Sequence, residues 1–159
     1  MRKLMAVLAL VLLVGIQTVS AEDVPMTPVM ISLMTPAQAP SPEWDVKGVR
    51  IDLLYGRCQN LYGLDVGLVN HTVGKEVGLA LGLVNYTEQS FTGLQVGGVN
   101  IGEEVTALQV GIYNEADDMS GVQIGLINHT RLMRGVQIGL INVIENNDLS
   151  FLPIANFFF

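Results

Sequence analysis

The sequence predicts an all-β protein, a thin β-solenoid of about eight coils of 14–15 residues, and three observations carry that expectation. The octet Gly121-Val122-Gln123-Ile124-Gly125-Leu126-Ile127-Asn128 returns as Gly135-Val136-Gln137-Ile138-Gly139-Leu140-Ile141-Asn142. Units aligned on it begin at Gly48, Gly63, Gly78, Gly93, Ala107, Gly121, Gly135 and Leu149, at steps of 15 and then 14 residues. A fixed short period marks a stack in which each unit touches only its neighbours. Within the octet the second, fourth and sixth positions are aliphatic, as in Leu64, Val66 and Leu68, while glycine and Gln, Asp or Ala alternate with them. Alternation with period two, rich in Val, Ile and Leu, specifies strand rather than helix.

Three segments follow in chain order. Residues 1–21 read as a secretory signal peptide: Arg2 and Lys3, an apolar run from Leu4 to Ile16, then Val19-Ser20-Ala21. That run is shorter than the ~20 residues a membrane-spanning helix needs. Residues 22–47 hold five of the six prolines, which remove backbone donors and fix φ, and so read as an extended tether, or as a partly ordered strap, since Met26, Val29, Met30, Ile31, Leu33 and Met34 could lie against something. Residues 48–159 form the repeat domain. Its first and last units are degenerate, with Asp52 and Pro153 where the second glycine belongs, as capping units require.

Twelve of the seventeen glycines occupy the first or fifth octet position, implying bends or close backbone approach. An apolar residue stands two positions before most repeat starts (Val46, Leu61, Phe91, Val105, Met119, Met133), with Glu76 and Asn147 as exceptions. Each connection is therefore expected to be a second side of a coil facing a shared core. The octet aliphatics are expected to point into that core, and Gln109 to be exposed. Asn70, Asn85, Asn100, Asn114, Asn128 and Asn142 are expected to form an internal amide ladder. Eight rungs give a rod roughly 35–40 Å long.

The alternative is an eight-stranded antiparallel outer-membrane β-barrel, favoured by the terminal Phe157-Phe158-Phe159. Against it, the octets fall short of the ~9–11 residues of a spanning strand. Aromatics at 6% are too few for two interfacial girdles. Glycine columns also cannot fill a small barrel.

These repeats resemble those of bacterial surface-repeat proteins, whose tandem units read G-L-Q-[IV]-G-L-[IV]-N and end in an aromatic tail containing Pro and Asn. The resemblance covers residues 48–159, with Leu152-Pro153-Ile154-Ala155-Asn156-Phe157 matching the tail. It implies a place at the cell envelope or surface and no particular activity. Many such proteins look like lipoproteins, whereas this chain has no cysteine directly after its apolar run.

Candidate chemistry is sparse. Removal of residues 1–21 would leave six basic against fifteen acidic residues, a formal charge of −9, which repels nucleic acid and anionic headgroups. Cys58 has no internal partner and reads as a buried free thiol. His71 and His129 each follow an octet asparagine, but four rungs separate them by ~19 Å, too far to share a metal. Glu103, Glu104, Glu115, Asp117 and Asp118 read as a solvated acidic edge; calcium binding there would relieve their repulsion but lacks the β-roll calcium motif. Asn70, Asn85 and Asn128 begin Asn-X-Thr triplets, yet laddered asparagines are closed to glycosylation. No nucleophile constellation recurs, so an envelope hydrolase is the weakest reading, and no catalytic, cofactor or metal residue is assigned. The sequence thus points to an exported, non-enzymatic structural or adhesive protein. Its partner would be another envelope protein or a second copy, with membrane association possible.

Overall fold

The computed structural model describes residues 24–159, so the expected signal peptide lies outside the described residues. Strands run β1 (Met26–Met34), β2 (Ala37–Ala39), β3 (Asp45–Cys58), β4 (Leu61–Thr72), β5 (Lys75–Val110), β6 (Tyr113–Ile124), β7 (Ile127–Ile144) and β8 (Phe151–Phe158). They form one sheet, ordered β2-β1-β3-β4-β5-β6-β7-β8, that coils on itself. Pairing from β1 through β7 is parallel and in register: Gly48 lies on Gly63, Gly63 on Gly78, Ala107 on Gly121 and Gly121 on Gly135. The fold is the predicted β-solenoid, with about 7 turns, and it is not a barrel.

Coil by coil, the lumen is filled from a few octet and connector positions. The third octet position is buried in the seven units from Gly48 to Gly135, as Arg50, Asp65, Ala80, Gln95, Gln109, Gln123 and Gln137. So is the asparagine of the eighth position from Asn70 to Asn142. The residue two places before each repeat start completes the core, and packs as two apolar groups. One contains Val46 and Leu61; the other contains Phe91, Val105, Met119 and Met133. Glu76 stands in the same column between the two groups and is itself buried at 2% exposure.

The octet aliphatics point the opposite way from the sequence expectation. Leu68, Leu83, Ile112, Leu126 and Leu140 are 43–66% exposed, whereas Gln109 is 0% exposed. Alternation specifies which side chains share a face without saying which face is inside. Here the third-position side chains, the asparagines and the apolar column supplied by the connections already fill the lumen, so the octet aliphatics face out. At the fifth position an added Cβ on Gly125 would sit 2.6 Å from Asn114 Nδ2 and 2.7 Å from the Gly111 carbonyl. At the first position Gly121 adopts φ 137°, and a Cβ there would meet the Ala107 carbonyl oxygen at 2.1 Å. Glycine lets the coils close at both places.

Both ends differ from expectation as well. The proline-rich segment is not merely a tether, because β1 stacks in parallel on β3 as a further rung, with Val29 on Val49 and Ile31 on Ile51. Pro25 and Pro28 are tolerated there because they precede Ile31–Met34, the part of β1 that pairs with β2, and so face no ladder on that side. Residues from Leu149 do not form another coil. The Ile144 carbonyl accepts from Asn147 N–H at 3.2 Å, the chain reverses, and β8 returns antiparallel along β7.

Candidate interaction face

Two ladders of side-chain amides run up the lumen. Each asparagine Nδ2 donates to the Oδ1 of the asparagine one coil on, at 2.8 Å, from Asn70 through to Asn142. The same Nδ2 groups also donate to the carbonyls of Leu81, Val96, Val110, Ile124 and Ile138 at 3.0–3.2 Å. The second ladder climbs from Gln137 through Gln123 and Gln109 to Gln95 at 2.7–2.9 Å. Unpaired ladder atoms occur at the ends, at Asn70 Oδ1, Gln95 Nε2 and Gln137 Oε1. Amides bonded to one another along the lumen avoid the penalty of a buried, unpaired polar group.

Because polar side chains fill the inside, the aliphatics build the outside. The second-position column reads Val29, Val49, Leu64, Leu79, Leu94, Leu108, Val122, Val136 and Phe157. The fourth-position column reads Ile31, Ile51, Val66, Leu81, Val96, Val110, Ile124, Ile138 and Ala155. Both columns cross nine rungs, the two terminal strands included, without a polar or charged residue. Every one of these residues is partly or well exposed. The sixth-position column, around the bend at Gly111–Ile112 and Gly125–Leu126, adds Leu53, Leu68, Leu83, Ile112, Leu126 and Leu140 at 43–66% exposure. Contiguous exposed apolar surface of this extent marks an interaction site.

Outside the lumen, charge among the described residues is confined to the connections. Glu104 stacks on Asp118 in the parallel ladder, and Asp117 lies 3.9 Å from Arg131. His129 sits 3.0 Å from Glu145 and 3.9 Å from Glu115. His71 is placed differently: its Nδ1 is 2.7 Å from Tyr55 Oη, its Nε2 2.7 Å from Glu88, and Tyr86 stacks on the ring at 5.0 Å. The two histidines therefore belong to separate clusters. Asn70, Asn85 and Asn128, the glycosylation-type asparagines, are buried at 0–1% exposure in the ladder.

One charged group stands inside the lumen, where the glutamine column begins. Arg50 donates through Nε and Nη2 to Asp65 at 2.8 and 2.5 Å, and through Nη1 to the His71 carbonyl at 2.8 Å. Asp52 lies 3.1 Å away and Cys58 Sγ 2.9 Å. Burial pushes the Asp52 carboxyl up to about 7, against the pull of Arg50. Burial, with repulsion from Asp65, lifts Glu76 to about 7. The Cys58 thiol, also by burial, rises to about 12. Such a thiol is protonated and inert at neutral pH. The cluster's chemistry is structural: a bidentate pair at full desolvation fixes the register of two coils.

Sequence reasoning located the asparagine ladder and missed the glutamine ladder, the Arg50 cluster and the apolar face. A usable signal was present. Gln recurs at one octet position in four units, and an exposed column would have varied among polar residues instead. No family model, curated protein or solved structure matches the chain.

Proposed function

We propose that the protein is an exported, non-enzymatic structural or adhesive module of the cell envelope or surface, acting through side-on contact with another envelope protein or with itself. The observation that carries this reading is the apolar face, unbroken over nine rungs and separated from the charged connections. An aliphatic surface without catalytic groups lends itself to contact. Supporting it are the apolar run Leu4–Ile16 behind Arg2 and Lys3, and the resemblance of the repeats to those of bacterial surface-repeat proteins. The acidic connections disfavour nucleic acid as a partner.

Cell fractionation tests the location. The full chain, expressed in a Gram-negative host, is expected outside the cytoplasm, with mass spectrometry showing a mature N-terminus at Glu22. A chain that remains cytoplasmic and begins at Met1 overturns the proposal.

A further inference from the structure

We infer that the two-column apolar face is the docking site for a second copy of this chain, which packs on it face to face about a two-fold axis. The inference deepens the structural-module reading and rests on it only for biological role. The two fail separately: an exported monomer sinks the interface, and a cytoplasmic dimer sinks the location.

Area is the first argument. Nine rungs at the inter-strand spacing span roughly 40 Å, and the outward columns with their flanks span roughly 15–20 Å, giving about 600–800 Å². A standard stable interface buries about 800 Å² per partner, so the face meets the requirement of a dimer nearly in full. Leaving such a surface in water is unfavourable at about 25 cal/mol per Å².

Shape is the second. Sheet faces pack about 10 Å apart with their strands slightly rotated, and a regular corrugation of Val, Ile and Leu is complementary to a copy of itself. A two-fold contact uses the same patch on both partners, which this periodic face supplies.

The third argument removes the competitors. Helical or sheet-like surfaces that settle on membranes carry Lys and Arg beside their apolar side, for anionic headgroups. The column preceding each repeat start holds Lys47, Tyr62, Val77, Thr92, Thr106, Ser120 and Arg134, with only two basic residues, while the chain carries a net charge of −7. End-to-end stacking is opposed by the antiparallel β8 at one end and the short β2, flanked by Pro36 and Pro40, at the other. The side face remains.

Full overlap of two such faces places the middle rung, which carries Val96, at the axis. The test uses the full chain as processed and purified from its host. Sedimentation velocity is expected to give twice the chain mass at micromolar concentration, and the double variant V96K/I124K half of that, with an unchanged far-UV circular dichroism spectrum. Glu103→Lys, on the exposed connection, is expected to leave the dimer intact. A monomeric parent chain, or a folded V96K/I124K chain that remains dimeric, overturns the inference. If V96K/I124K fails to fold, cysteine pairing decides: V96C is expected to form a disulfide-linked dimer under mild oxidation, and E103C to form none. Absence of the V96C product, or monomers that float with phosphatidylcholine vesicles, overturns it and in the latter case assigns the face to lipid.

Discussion

Asn100 holds three coils together with one side chain. It accepts from Asn85, donates to Asn114 at 2.8 Å, and donates again to the Val110 carbonyl at 3.1 Å. Truncation to alanine strands a donor on one side and an acceptor on the other, each worth about 1–3 kcal/mol when buried unpaired. Asn100→Ala should therefore cost about 3 kcal/mol by chemical denaturation. Gln109→Ala should cost a comparable amount, because Gln109 bridges Gln95 and Gln123 at 2.7 and 2.8 Å. A near-neutral Gln109→Ala would show that the column faces solvent. Glu76 is the opposite case. Its Oε2 accepts from Thr87 at 3.0 Å, while Oε1 has no partner among the described residues. Its carboxyl titrates near 7 in the fold against an ordinary 4.5, so the folded state holds the extra proton between those values. The contribution of Glu76 to stability is then largest at low pH and falls as pH rises from about 4.5 through 7, by on the order of 1–3 kcal/mol. Asp52 acts in the same direction. The melting temperature should be higher at pH 5 than at pH 8, and Glu76→Gln should narrow that difference. A melting temperature that rises toward pH 8 would contradict the assignment.

At the scale of the element, each coil is a strand that must bend twice within reach of its neighbour's backbone. The glycine columns permit this, and they are matched to the ladder they adjoin. Gly125 faces Asn114 Nδ2 and the Gly111 carbonyl, both of which are held in place by the rungs on either side. A methyl there has no direction in which to relax. Gly125→Ala is expected to cost about 3 kcal/mol or more, the range of severe overpacking. Leu126→Lys, one residue on but 52% exposed, should change stability by about 0.5 kcal/mol or less. Equilibrium denaturation of both variants checks the contrast, and equal losses would place Leu126 inside. The terminal elements follow a different rule. An open parallel edge would template further strands, and a short strand, prolines or a reversed strand each blunt it. β2 and the prolines around it serve one end and the antiparallel β8 the other.

At the scale of the whole molecule, the chain sorts into amide lumen, aliphatic face and charged connections. The period of 15 and then 14 residues, the stacking of like positions, the asparagine ladder and the burial of Cys58 were all legible in the repeat. A stack brings identical positions into contact, and Asn at a repeated inward position has only another Asn to bond. Legibility stopped where a pattern has two solutions. Val122, Ile124 and Leu126 against Gly121, Gln123 and Gly125 define two faces equally well. The usual expectation that aliphatics go inside selected the wrong one. The unit begun at Leu149 misled for a related reason: pairing with a neighbour, invisible locally, reversed it, while the same kind of pairing makes β1, within the proline-rich segment, a rung. The sequence by itself determined the period, the strand type and the ladder, because these depend on spacing along the chain. Only the tertiary structure decided inside from outside, because that choice depends on which columns the closed coil brings together. The closed coil hydrogen-bonds its amides along the stack, with unpaired atoms at the ladder ends, and takes its apolar lumen column from the connections rather than from the octet.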